Sequence, residues 1–298
     1  MRDAGEQRRL RPPPEPGSPS ALPQAHGQPL FGSRVAVVTG AALGIGAGIA
    51  RALAHHGAQL LLIDIDGAAA RATAERIVAD GGHAPTVLVA DVTVPETADT
   101  VRKRAEELGG ASLLVNNVGD YRPAGLFVTS TPGDWQRTYE LNFGHLLHVT
   151  HALLPAMMDR GHGAILNVSS VEGFRGIPGN AVYGAMKAAV ISFTASLAAE
   201  VGQHGIRVNA IAPDLTDTPQ TPMWDSVDER YADHVGKWVP AGRFGHPRDH
   251  GDAAVFLLSD QAAWVTGETL RVDGGTFAAP GWHRRDESHF TNMPRRLR

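Results

Sequence analysis

Val35-Ala36-Val37-Val38-Thr39-Gly40-Ala41-Ala42-Leu43-Gly44-Ile45-Gly46 decides the fold of this 298-residue chain. The first four residues are a short, uncharged, mostly β-branched run, and a helical pattern continues past the glycines through His56. Strand, glycine turn and helix in that order let the backbone approach a pyrophosphate, which the free N–H groups and dipole of a helix N-terminus favour. An ordinary tight turn looks the same, so the reading depends on the end of the second strand. That run, Gln59-Leu60-Leu61-Leu62-Ile63, ends in Asp64, about twenty residues beyond the turn, where a carboxylate can accept hydrogen bonds from an adenosine ribose. The same carboxylate repels a 2′-phosphate, and no Arg or Lys lies between Gly40 and Gly46 to bind one. The pattern predicts NAD as cofactor, with NADP disfavoured.

Outward from this unit the alternation continues. It predicts a helix over Ala68–Ala79, a strand over Thr86–Ala90 followed by Asp91-Val92, a helix over Pro95–Leu108, and a strand over Ser112–Val115 followed by Asn116-Asn117-Val118-Gly119. This is the text of an α/β fold with a doubly wound parallel sheet, helices on both faces, in a single domain. Ligands of such sheets collect beyond the carboxyl ends of the strands, where Asp91, Asn116 and Gly119 fall. Thr131-Pro132-Gly133-Asp134 then opens a long helix in capping-box style, and Asn142 lies in the middle of it, on propensity alone a tolerated surface residue. His145, His148 and His151 recur on the same helix, but six residues separate the first from the last and no acidic cluster accompanies them. They read as core or interface histidines rather than metal ligands.

The chemistry concentrates between Ser169 and Lys187. Tyr183 and Lys187 are four apart, which on a helix places phenol and ammonium on one face. A cation at roughly 4 Å lowers a phenol pKa from about 10 by up to about three units. A phenol tuned this way exchanges a proton with a carbonyl or an alcohol oxygen, which Ser170 would hold by a hydrogen bond. The pair alone also fits a solvated lysine beside a half-buried ring, so its weight comes from its company.

Composition narrows the partners. An apolar content of 43% is globular, and the longest uncharged apolar runs fall short of the roughly 20 residues needed to cross a bilayer, so no membrane role is expected. A net charge of −4 without a basic stripe argues against nucleic acid. With no cysteine there is no disulfide, thiol nucleophile or cysteine-ligated metal, and no metal is expected. Residues 1–30, with Arg8-Arg9-Leu10-Arg11-Pro12-Pro13-Pro14 and further prolines, read as a disordered tail; prolines stand where a signal peptide needs an apolar run, so the expected location is cytoplasmic.

Taken together, Thr39-Gly-x-x-x-Gly-x-Gly46, Asp64, Asp91-Val92, Asn116-Asn-x-Gly119, Asn142, Ser170 and Tyr183-x-x-x-Lys187 resemble the short-chain dehydrogenase/reductase family in its single-domain form of about 250 residues. The resemblance spans residues 31–276 and takes in Arg207–Pro213 as a sixth strand and Gly267–Gly275 as the last. It implies a seven-stranded Rossmann sheet. It further implies that Ser170 orients the substrate oxygen, Tyr183 is the general acid/base, Lys187 lowers its pKa and binds the nicotinamide ribose, and Asn142 holds a water in a proton relay. Cofactor contacts implied are Thr39, Gly40, Gly44, Ile45, Gly46, Asp64, Asp91, Val92, Asn117, Gly119, Tyr183, Lys187 and Pro213. Two departures stand out: Asp214 follows Pro213 where many members have glycine, and Val118 replaces the commoner alanine.

The segments leaving the strand ends, 120–128, 171–178 and 214–240, carry Tyr121, Phe127, Phe174, Met223, Trp224, Tyr231 and Trp238, with Asp120, Arg122, Glu172, Arg175 and Asp214 among them. Aromatic walls suit an apolar, cyclic substrate with a few polar handles. The expectation is an NAD-dependent dehydrogenase interconverting a secondary alcohol and a ketone. A 3-oxoacyl-type or other carbonyl reductase, which in this family usually takes NADPH, is the alternative that Asp64 opposes. A non-catalytic NAD(H) sensor is the other, and it has no need of Ser170, Tyr183 and Lys187 together. Apolar and small residues on more than one face of the helices over 132–160 and 180–203 predict a homodimer or homotetramer, and residues 277–298 read as an arm over a neighbouring subunit or as a frayed tail.

Overall fold

The structure, a computed structural model, describes residues 29–227, 232 and 234–279, together with the backbone of 283–284 and 290–291. The expected tail therefore lies outside the described residues except for Pro29 and Leu30. Leu30 already packs on the core, and Phe31 behind it is fully buried.

The strands are β1 (Val35–Thr39), β2 (Gln59–Asp64), β3 (Thr86–Val89), β4 (Ala111–Asn116), β5 (Gly163–Val168), β6 (Ile206–Pro213) and β7 (Thr269–Val272). They form one seven-stranded sheet in the order β3-β2-β1-β4-β5-β6-β7, and every pair is parallel. Parallel strands need crossovers, and α1 (Gly44–His55), α2 (Gly67–Ala79), α3 (Thr97–Glu107), α4 (Pro132–Tyr139), α5 (His145–Arg160), α6 (Ala181–Val201), a short α7 (Val235–Trp238) and α8 (Pro247–Leu258) supply them. Beyond β7, β8 (His283–Arg284) and β9 (Phe290–Thr291) form a small antiparallel ladder.

Side chains alternate across the sheet, so each strand feeds two cores. Ala36, Val38, Leu60, Leu62, Leu113, Val115 and Leu166 face one layer with Ile49 and Leu53 of α1, Ile77 of α2 and Val255 of α8. Val37, Leu61, Ile63, Leu114 and Ile165 face the other with Val101 of α3, Val149 and Leu153 of α5, and Leu197 of α6. Strand order reverses between β1 and β4, and the crevice at their carboxyl ends is where ligands of such sheets bind.

One expectation needs correcting. The long helix does not run unbroken from 132 to 160. The Thr131–Asp134 capping box opens α4 as expected, but residues 140–144 form a π-helical turn before α5. Its cause is visible at Asn142, whose Nδ2 donates to the Thr138 carbonyl one turn back and to Asp120 O, pulling the side chain inward. Asn142 is thus 1% exposed, the opposite of the surface residue its helix propensity suggests. By length and composition Ala181–His204 is apolar enough to cross a membrane, although Lys187 and Glu200 break it into shorter uncharged runs. In the fold it is a sheet-packing helix that buries Lys187, Val190, Thr194 and Val201, although only 28% of its most apolar window is buried in the protomer.

Candidate active site

The carboxyl ends of the strands open into a cleft of about 740 Å³, within the usual range for ligand sites. At one end the glycine turn joins β1 to α1. A Cβ on Gly46 would lie 2.0 Å from the Gly40 carbonyl oxygen, so only glycine lets the turn close onto the helix. Asn117 braces the same turn, donating from Nδ2 to Thr39 O (3.1 Å) and Gly40 O (3.0 Å), while its N–H donates to the Thr39 hydroxyl. Asp64 reaches across from the end of β2, accepting from Ala42 N (2.9 Å) and Asp66 N (3.0 Å). Asp91 accepts both the N–H and the hydroxyl of Thr93. Gly40, Gly44, Ile45, Asp64, Asp91, Val92, Asn117, Gly119 and Pro213 all line the cleft, as the sequence predicts. Thr39 and Gly46 do not; they support the turn from beneath.

Ser170, Tyr183 and Lys187 line the middle of the cleft. Ser170 leaves β5 and accepts from Glu172 N at 3.2 Å, while Ser169, the structural one of the two, donates to Lys187 O. Tyr183 and Lys187 share one face of α6, with the ammonium over the ring, 5.6 Å from its centroid. Lys187 Nζ donates to Val168 O at 3.1 Å. A Cβ on Gly119 would stand 2.9 Å from Lys187 Nζ and 3.0 Å from Asn142 Oδ1, so the bare glycine leaves room for both groups. Asn142 sits behind the cleft, its Oδ1 accepting from Asp120 N and its Nδ2 donating to Asp120 O.

The electrostatics differ from what the four-residue spacing suggests. Burial pushes the Tyr183 phenol up to about 12, the Ser170 hydroxyl pulls the other way, and the charges of Glu172, Asp120 and Asp214 add to the rise. Burial likewise lowers Lys187 to about 8. The helix does place phenol and ammonium together, with the ammonium over the ring, and both lose the hydration that favours their charged forms. The expected lowering of the phenol is absent from the protein in this state.

The walls also differ. Of the predicted aromatic residues only Tyr121 lines the cleft, edge-on to Tyr183 at 6.5 Å. Phe127 stacks on Trp135, Phe174 packs on Phe277, and Trp224 packs on Phe244. Trp238 is exposed, and Tyr231 lies outside the described residues. Met223 lines the cleft as expected, and the rest of the apolar lining comes from Leu141, Ile177, Leu215 and Pro219. Residues 218–221, within the predicted wall segment 214–240 although none of them was singled out there, also line the cleft, and Gln220 Nε2 donates to Gly119 O at 3.0 Å. Arg175 stands outside the cleft and joins Glu172 Oε1 (3.0 Å) to Asp214 Oδ2 (2.9 Å), a carboxylate that also accepts the Thr276 hydroxyl. Of the three histidines on the long helix, His145 is core: Nε2 donates to Val118 O, and burial lowers it to about 3.

A family model described as enoyl-(acyl carrier protein) reductase matches residues 40–276. The chain is 36% identical over 247 residues to the 3-oxoacyl-[acyl-carrier-protein] reductase of Chlamydia muridarum, covering 83% of this chain and 98% of that protein. It is 38% identical over 253 residues to the oxidoreductase UcpA of Escherichia coli, covering 82% and 94%. Among solved structures, a putative NAD(P)-dependent gluconate 5-dehydrogenase from Beutenbergia cavernae, with NADP bound at low occupancy, superposes with a TM-score of 0.77 at 35% identity, over 84% of this chain and 99% of that one. A putative short-chain dehydrogenase/reductase from Burkholderia xenovorans gives 0.78 at 32% identity, over 86% and 99%.

Proposed function

This chain belongs to the short-chain dehydrogenase/reductase family and is an oxidoreductase, and from that premise we propose that it uses NAD to interconvert a secondary alcohol and a ketone on a largely apolar substrate, ring alcohols included. The observation that carries the cofactor choice is the position of Asp64 at the rim of the cleft, together with the cations that line it. Among the described residues these are only Arg122 and Lys187, and neither belongs to the turn or to the end of β2. A 2′-phosphate would meet a carboxylate without a compensating charge. The glycine turn, the Asp64 carboxylate and Gly119 suit the adenosine and nicotinamide halves of the dinucleotide, which when bound supplies the hydride acceptor or donor.

In the reducing direction Tyr183 gives its proton to the substrate oxygen while Ser170 holds that oxygen. Lys187, on the same face of α6, would bind the ribose of the cofactor and steady the charge left on the phenol. In the oxidising direction Tyr183 takes the alcohol proton, which asks for an ionised phenol. Burial and the three carboxylates oppose that form, so oxidation rates should climb with pH well above neutrality.

A second reading is favoured by a specific observation: the curated relatives include a 3-oxoacyl-[acyl-carrier-protein] reductase, and one structural neighbour holds NADP. Initial rates with NAD and NADP across a screen of cyclic secondary alcohols, and with NADH and NADPH on a 3-oxoacyl thioester, separate the two. The first reading expects NAD-linked turnover of ring alcohols, and NADPH-linked thioester reduction as the dominant activity overturns it. The partner we propose beyond the substrate is a second copy of the chain, in a homodimer or homotetramer, because only 28% of the most apolar window of Ala181–His204 is buried in the protomer and the small residues Ala185, Ala188, Ala195 and Ala199 stand exposed on it; light scattering at micromolar concentration tests this.

A further inference from the structure

Glu172 lies two residues beyond Ser170, and the hydrogen bond from its N–H to the Ser170 hydroxyl ties its backbone to the serine that the dehydrogenase reading sets on the substrate oxygen. It lines the cleft. Its Oε1 is taken by Arg175, but Oε2 is buried with no donor within hydrogen-bonding distance. An ionised oxygen enclosed without a donor is costly, and so rare in a settled core. The Arg175 Nη2 that serves Oε1 also serves Asp214 Oδ2, so one nitrogen is shared between the two carboxylates. One guanidinium between two carboxylates leaves a negative charge at this end of the cleft, with the Glu172 and Asp214 side chains only 13% and 8% exposed.

The other charges do not offset it. Arg122 is held by Asp120 through two side-chain contacts of 3.0 and 2.7 Å, and Lys187 donates to Val168 O. Among the described residues, the substrate end of the cleft thus presents Asp120, Glu172 and Asp214 and no uncommitted cation. An anionic substrate would enter against a negative field in a partly enclosed space, which is discrimination by repulsion. A hydrogen-bond donor would complete Glu172.

The geometry points to Glu172 as the residue that sets substrate specificity, its Oε2 accepting from a second donor group of the substrate, a hydroxyl or an ammonium next to the carbinol carbon, so that carboxylated and phosphorylated alcohols are refused. This rests on the dehydrogenase reading and deepens it by naming the substrate class. A hydrogen bond to a charged acceptor contributes roughly tenfold or more in affinity.

The test takes a ring alcohol that the cyclic-alcohol screen shows to be turned over, and its analogues with a hydroxyl, an amino group or a carboxylate on the adjacent carbon. Parent, Glu172→Gln and Glu172→Leu are compared by kcat/KM with NAD. The parent should favour the diol or the amino alcohol over the simple alcohol by roughly tenfold and disfavour the carboxylate by at least as much. Which of the diol and the amino alcohol leads identifies the donor. Glu172→Leu should bring the donor preference to within about twofold, and Glu172→Gln should relieve the discrimination against the carboxylate by roughly tenfold. Each readout is a ratio taken on one sample, so partial misfolding of a variant does not alter it. A parent that oxidises the carboxylate as well as the diol, or variants that keep the parental ratios, overturn the assignment of Glu172 and leave the dehydrogenase reading standing. A parent that oxidises no alcohol overturns both.

Discussion

At the cofactor end of the cleft side chains bond to backbone: Asn117 to the carbonyls of Thr39 and Gly40, and Asp64 to the N–H groups of Ala42 and Asp66. At the substrate end side chains bond to side chains: Arg175 to Glu172 and Asp214, Thr276 to Asp214, His250 to Thr216. A backbone partner is present whatever residue occupies the position, so a contact of the first kind needs one correct residue. A contact of the second kind needs two, often far apart in the chain, and changing either rewires the wall. One end of this cleft is therefore a shape carried by spacing, and the other a choice of partners.

The strongest test is at the junction of the two ends. Tyr183→Phe keeps the ring and removes the proton, so turnover should fall at least about a hundredfold while NADH affinity, followed by fluorescence titration, stays near parental. Parental turnover in this variant would remove the catalyst from the junction altogether. At the cofactor end, Gly46→Ala sets a methyl against a backbone oxygen that cannot yield, and about 3 kcal/mol of stability should be lost together with the shift in melting temperature that NAD confers; an unaltered NAD-induced shift would show that the turn has slack. Changing Asp64 to Ala and Ile65 to Arg should lower the NAD-to-NADP ratio of kcat/KM by roughly tenfold, the size of one charge-assisted contact. Asp214→Asn, at the substrate end, should raise KM for the substrate a few-fold and leave NAD affinity alone, a division that a merely structural loss would not produce.

The smallest effect is graded with pH. His145 beneath the cofactor end and His250 beneath the substrate loop are lowered by burial from 6.5 to about 3 and about 4. Between the unfolded value and these folded values the unfolded chain binds more protons, so stability falls as pH drops below about 6.5 and the loss is complete near the folded values. His250→Gln should flatten part of this slope in urea unfolding between pH 7 and pH 4. A slope unchanged by the substitution would place the proton uptake elsewhere.

The legible part of the molecule obeys the same division. The glycine turn, Asp64 and the Tyr183-x-x-x-Lys187 spacing needed only local rules, and the structure places each in the cleft. Asn142 was opaque to propensity because its burial comes from a π-helical turn that its own amide creates with Thr138 and Asp120. The aromatic walls were misjudged because Phe127, Phe174 and Trp224 each found another ring, and no local pattern says which ring a loop residue will meet. Arg175 looked like a pocket cation and is instead consumed by two carboxylates.

By itself the sequence determined the order and kind of the elements, the two-sided burial of the strands, the glycine turn and the candidate catalytic side chains that gather in the cleft. Each of these depends on period, on glycine where the backbone needs it, or on residues a fixed distance apart on one helix. Only the tertiary structure decided the proton affinity of Tyr183, pushed up to about 12 where spacing to Lys187 predicts a fall, and the partners of Glu172 and Asp214. Desolvation and long-range pairing depend on what surrounds a group in space, and the chain does not write that down in any one stretch.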